Sequence, residues 1–229
     1  QLSASFETSG NYQEAVPILE ELRILKPDDS AVFDRLLRAY IETGNAEKAK
    51  PMFLELVERG SISPIEAIVH VFRIHLAKGD LRSARMELQN VSEEDQKNPL
   101  FNDAFREYYS LQAREAEEGN NFRRAILYWE RALERVPDDF QTQYQLALAH
   151  ASLNDHEKAL ELYIPLLEQK PANAGFYADV TVSLLELERY DVAYRMIQLG
   201  LKIALSRNDQ AVHTRLQDLN SRLTQNFTP

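Results

Sequence analysis

The chain has 229 residues, 44% of them hydrophobic and 27% charged, with a formal net charge of −10. That is ample material for a packed core, and the negative balance argues against nonspecific binding to nucleic acid or anionic membranes, which reward a basic face. The absence of cysteine excludes disulfides, thiol catalysis and cysteine-ligated metal. No apolar run approaches the roughly 18 residues that a membrane span needs, so no direct membrane insertion is expected.

Lack of thiols suits a reducing cytoplasm and an oxidising bacterial periplasm equally, so both compartments stay open. The chain begins at Gln1 without an initiator methionine, as a fragment or processed form of a longer protein does. The missing signal peptide therefore carries no weight.

Taken in order, residues 1–9 read as the tail of a helix with Leu2 and Phe6 on one face. A turn at Gly10-Asn11 leads into a helix from Gln13 to Lys26, with Ile18, Leu22 and Leu25 inward and Pro17 in its first turn. Pro27-Asp28-Asp29 stops that helix and caps the next, Ala31 to Thr43, whose Phe33, Leu36, Leu37 and Tyr40 recur at helical spacing. Ala46 to Glu58 pairs back with Phe53, Leu56 and Val57 buried. Ser63-Pro64 opens a helix through Lys78, and its partner is expected over Leu81 to Val91. Ser92 to Pro99 is polar and predicts an exposed loop before a helix from Leu100 to Glu118. The stretch 120–137 supplies the next helix, and two more hairpins follow over Gln141–Lys170 and Ala174–Ser206, with Pro165 expected to bend its helix. Asn208 to Gln225 is a last amphipathic helix with Val212, Leu216, Leu219 and Leu223 on one stripe.

One pattern organises these elements. NNFRRAILYWERALERVP, from Asn120 to Pro137, recurs along the chain, placing alanines at 15, 49, 84, 125, 159 and 193. The spacings are 34, 35, 41, 34 and 34, the longer one falling across Ser92–Pro99. Glycines at 10, 44 and 79 mark turns, Tyr12, Phe122 and Tyr190 stand three residues before an alanine, and prolines at 27, 137 and 171 stand twelve after. The last hairpin has Glu188 in place of the turn glycine. In the fourth, Gly119 lies six residues before its alanine instead of five, which leaves the register of the preceding helix open by one.

This pattern resembles the tetratricopeptide repeat over nearly the whole chain. The resemblance implies an all-α, right-handed superhelical solenoid of about six antiparallel helical hairpins, the first incomplete. The array is expected over residues 1–206, with a C-terminal capping helix and tail over 207–229. It also implies that the first helix of each hairpin lines a concave groove for a peptide or partner helix. At groove positions stand Arg38, Arg73 and Arg114, then Leu148 and Val182, each eleven residues before a signature alanine. One turn earlier come Asp34, Val69, Ser110, Tyr144 and Ala178. A family subclass grips carboxylates with lysines here, but Asp34, Val69 and Ser110 occupy those places, so that specificity is not carried over.

The groove so read is charged toward its N-terminal end and apolar toward its C-terminal end, which suits a protein or peptide partner with acidic and apolar segments. The alternative use of the arginines is internal pairing, Arg38 with Asp34 or Glu42 and Arg114 with nearby glutamates. Trp129 reads as core filler beside Leu19, Phe53, Leu88, Tyr163 and Ile197 at the same register. The five histidines form no metal-ligating spacing, the acidic run at 115–118 reads as a solvated helix end, and no phosphate loop or nucleophile signature is present. The sequons at Asn90 and Asn226 matter only in a eukaryotic secretory protein. No cofactor, no metal and no enzymatic activity are expected. Two functions remain: a non-enzymatic protein–protein interaction scaffold using its groove, or a structural spacer or regulatory arm of a larger assembly, such as a bacterial envelope or secretion assembly, docking through its ends or convex face.

Overall fold

The computed structural model describes residues 2–169 and 172–226, and it consists of helices with no strand among them. The expectations for Pro171, for the side chains of Leu2 and Asn90 and for the sequon at 226–228 lie outside the described residues. The helices are α1 (Leu2–Thr8), α2 (Tyr12–Leu25), α3 (Ser30–Glu42), α4 (Ala46–Glu58), α5 (Pro64–Ala77), α6 (Leu81–Glu87), α7 (Asn102–Glu118), α8 (Phe122–Arg135), α9 (Phe140–Ser152), α10 (His156–Glu168), α11 (Ala174–Glu186), α12 (Tyr190–Ser206) and α13 (Gln210–Asn226). They form two compact units that divide between Tyr108 and Tyr109, inside α7.

Local chemistry sets the boundaries. Asp29, Asn45, Asp80, Asn121, Asp139 and Asp155 each accept a backbone N–H from the first turn of the helix that follows. Ser63 and Glu66 close a full capping box on α5. The turn inside every hairpin contains one residue of positive φ: Gly10, Gly44, Gly79, Asn120, Asn154 and Glu188. Each lies five residues before its alanine, so Asn120, and not Gly119, takes the left-handed position. Ala125 therefore sets the register of α7, and Arg114 is equivalent to Arg38 and Arg73. Glutamate at 188 adopts a conformation that costs an L-residue roughly 1–2 kcal/mol over glycine.

All six signature alanines are fully buried. A methyl side chain at these sites admits the close helix approach, and Leu19, Phe53, Trp129, Tyr163 and Ile197, one turn on, are at most 3% exposed. Trp129 also donates its indole N–H to Glu117 at 2.8 Å, so that glutamate serves the core and is not merely a solvated end.

Several expectations need correction. Leu25 is 70% exposed; Ala15 and Leu19 form the buried stripe of α2. Pro17 is the sixth residue of its helix, in the second turn, because Asn11 and not a later residue precedes the helix. Leu56 and Val57 are only half-buried. The largest departure is α6, which ends at Glu87 after seven residues where α4, α8 and α10 run for 13 or 14. Short 3-10 turns follow at Leu88–Asn90, Asp95–Lys97 and Pro99–Phe101, so Ser92–Pro99 is partly ordered. Here Ser92 caps Asp95 N–H at 3.0 Å, local bonding that competes with helix. Phe101 is fully buried against Phe105, which in turn meets Phe72, and Leu88 is left half-buried. The longer repeat thus substitutes an aromatic cluster for the second half of a helix.

Candidate protein-binding faces

In the N-terminal unit, α3 turns Phe33, Leu36, Leu37 and Tyr40 into the core, which leaves Asp34 and Arg38, one turn apart, on the solvent side. In α5 the same logic buries Val69, Val71, Phe72 and Ile74 and leaves His70 and Arg73 outside. Arg38 and Arg73 make no hydrogen bond or ion pair with any described residue. Internal pairing with Asp34 or Glu42 does not form. Arg35, by contrast, is engaged: it donates to Glu7 at 2.6 Å and to Ser3 at 2.7 Å. His70 stacks flat on Phe53 of α4, with centroids 5.0 Å apart. Although the residue is exposed overall, partial desolvation of the ring, one face of which lies on Phe53, holds its pKa below the ordinary 6.5, the Arg73 charge lowers it further, and Glu66 opposes.

The C-terminal unit treats its first helices differently. Arg114 on α7 is exposed and makes no ion pair with any described residue. Leu148 on α9 and Val182 on α11 are half-buried against the unit's own core. Tyr144 donates its hydroxyl to Asp179 of α11, whose other oxygen accepts Arg215 of α13 at 2.7 Å. Burial, then the Asp179 charge, pushes the Tyr144 hydroxyl pKa upward. Arg222 pairs with Glu186 at 3.2 Å between the same two helices. Sequence reasoning missed Asp179, Glu186, Arg215 and Arg222; the signal was their spacing of 35 or 36 residues from their partners, one repeat apart. It also read Val69, Ser110 and Ala178 as groove positions, but they are 5%, 6% and 0% exposed and belong to the core. Among the described residues no group of histidines and carboxylates is placed to hold a metal ion, and no helix is long and apolar enough to cross a membrane.

Repeated two-helix hairpins with a buried alanine at the turn-proximal contact define a helical-repeat protein, and sequence comparison makes the class specific. Tetratricopeptide repeat family models match residues 8–60 and 110–174, and the chain belongs to the tetratricopeptide repeat family, whose fold is a protein–protein interaction scaffold. A curated relative, cellulose synthase operon protein C of Pseudomonas fluorescens (strain SBW25), is 29% identical over 224 residues. That match covers 93% of the chain but 16% of the relative's length. Among solved structures, the C-terminal part of a TPR repeat-containing protein from Cytophaga hutchinsonii has a TM-score of 0.62 at 17% identity, covering 96% of this chain and 84% of that one. A double mutant of MamA has a TM-score of 0.53 at 15% identity, covering 79% and 97%. At such identities the likeness is one of fold.

Proposed function

We propose that the chain is a non-enzymatic interaction module that holds an acidic segment of a protein partner against the first helices of its N-terminal unit. Arg38 and Arg73 supply the cations, and Asp34 offers a carboxylate to a partner amide beside Arg38. The observation that carries this reading is that two exposed guanidinium groups, at equivalent positions of successive first helices, lack any partner within the described residues. An unpaired guanidinium is free to form bidentate bonds with a carboxylate. In the C-terminal unit, Arg114 is the corresponding cation, while Tyr144, Leu148 and Val182 offer apolar contact.

A fluorescein-labelled peptide with glutamates at one end and leucines at the other provides the test, by fluorescence anisotropy. Reversing both charges, Arg38→Glu with Arg73→Glu, is expected to weaken binding by about tenfold or more, and salt should weaken wild-type binding, since exposed charges are screened over roughly 8–10 Å. Equal affinity for wild type and double variant would remove the arginines from the reading.

A second reading, an arm of a larger envelope or secretion assembly, is favoured by the relative encoded with cellulose synthase. It draws further support from a groove of about 610 Å³ between α12 and α13, lined by Tyr190, Tyr194 and Leu223. Leu216 and Leu223 are buried in the unit's own core, so the exposed Tyr194 is the residue to change. Loss of partner binding in Tyr194→Asp, with Arg38→Glu/Arg73→Glu unaffected, would select this reading.

A further inference from the structure

The basic face of the N-terminal unit carries a group that titrates near neutral pH. His70, Arg73 and Ala77 follow one exposed stripe of α5 at successive turns, so the imidazole stands beside the guanidinium with no bulk on the far side. From α4 the ring meets Phe53, which is 3% exposed; the two planes lie within 3° of parallel with centroids 5.0 Å apart. That contact fixes one face of the imidazole and leaves the ring in place next to Arg73. His70 makes no hydrogen bond or ion pair with any described residue. The charges around it explain why. Glu66, one turn behind on α5, accepts the Ser63 N–H at 2.6 Å in the capping box. On α4, Lys50, three residues before Phe53, is paired with Glu87. On α3, Asp34 and Arg38 are both exposed. Of these charges Arg73 opposes an imidazolium at position 70, and Glu66 favours it.

We infer that His70 is the third cation of this face and that, given the reading in which Arg38 and Arg73 hold an acidic segment, it makes the grip on that segment tighten as pH falls. The partner brings to the imidazolium the paired carboxylate that the fold does not provide. Linkage fixes the sign. A carboxylate seated on Arg73 favours the protonated ring, so the bound protein takes up a proton more readily than the free one, and by reciprocity protonation strengthens binding. Affinity rises as pH falls through the midpoint of the bound ring and levels off below the midpoint of the free ring. Partial desolvation and the Arg73 charge hold the free ring below 6.5, and an acidic partner offsets the second of these, which opens the window between the two midpoints. The Phe53 contact is compatible with both states, since an aromatic face also accepts a cation.

The probe is the glutamate-and-leucine peptide without its dye, titrated into the whole chain by calorimetry at about pH 8 and about pH 5.5, the lower value chosen so that glutamates stay ionised. Wild type is expected to bind about threefold to tenfold more tightly at the lower pH, a tenfold gain being a shift of the ring's midpoint by about one unit. His70→Gln, at an exposed site, should keep its Tm and its affinity at about pH 8 and lose the dependence on pH. Saturating peptide should raise the NMR midpoint of His70 in wild type by the amount that the affinity gain requires, an agreement that a merely structural role would not produce. Equal wild-type affinities at the two pH values overturn the inference and leave the arginine reading standing. So does a pH dependence that persists undiminished in His70→Gln, which would assign it to another histidine. Absence of binding at both pH values up to about 1 mM removes the arginine reading, and the inference with it.

Discussion

The two units carry the same hairpin and finish its first-helix surface differently, although Arg35 is tied to Glu7 in the first and Arg114 stands exposed in the second. In the N-terminal unit Arg38 and Arg73 project without partners among the described residues, and α6 gives way to 3-10 turns. In the C-terminal unit Tyr144, Asp179 and Arg215 tie α9, α11 and α13 together, and Glu186–Arg222 adds a second rung. Register places a residue on this face only in part: Asp34 is exposed, while Val69, Ser110 and Ala178 at the same register are buried. Whether it is available to a ligand depends on what the next repeat offers at the adjoining position. Arg215 meets a carboxylate one repeat back; Arg38 and Arg73 meet none.

The largest test of the contrast uses one register position in both units. Trp129 and Leu88 each stand four residues after a signature alanine, but Trp129 is 1% exposed while Leu88 sits half-buried in a 3-10 turn. Trp129→Ala removes a full core side chain and the donor to Glu117, and is expected to cost about 3–5 kcal/mol. Leu88→Ala should cost well under half of that, as its site already borders solvent. Comparable losses in chemical denaturation would mean that the third hairpin continues as a full helix.

Much of this was legible from residues alone. The alanine spacing fixed six hairpins because only a methyl fits where two helices nearly touch, and aspartate or asparagine caps are local chemistry. The break at α6 was not legible, because Leu81, Ala84, Leu88 and Val91 keep helical spacing and no glycine or proline intervenes. There Ser92 capping and burial of Phe101 override a favourable local pattern. The arginines were found by register, yet their freedom was not: Asp34 and Glu42 lie four residues either side of Arg38, and sequence cannot say which rotamers meet. The Tyr144–Asp179–Arg215 chain was missed because each of its bonds joins different repeats, at spacings that a single-helix reading does not examine.

A middle-sized effect separates the two faces by stability. Asp179 is 13% exposed at its side chain and accepts from both Tyr144 and Arg215. Asp179→Ala strands the half-buried Tyr144 hydroxyl and should cost about 1–3 kcal/mol. Arg38→Ala removes no internal bond and should stay within about 0.5 kcal/mol of wild type. Arg215→Ala belongs near the lower figure, since its guanidinium is half exposed and regains water, about 0.2–1 kcal/mol. If Arg38→Ala destabilised as much as Asp179→Ala, the N-terminal face would be internally paired after all.

The smallest effect is a titration that reports on the N-terminal face directly. His70 lies on Phe53, with Arg73 one turn ahead and Glu66 one turn behind on α5. Burial is the main cause of its lowered pKa and Arg73 the second, so its NMR midpoint is expected below 6.5. The sign for stability follows. The folded protein disfavours the imidazolium, so the unfolded chain binds more protons as pH falls from 6.5 toward the lowered midpoint, and stability declines across that window. Above it both states hold His70 neutral and its contribution is constant. Arg73→Ala should raise the midpoint but leave it under 6.5, because burial remains. An acidic peptide seated on Arg73 should raise it as well, by placing a carboxylate near the ring. A midpoint at or above 6.5 in the free protein would show that the ring is solvated and unstacked, and the face around Arg73 would then be less ordered than the Phe53–His70 contact requires.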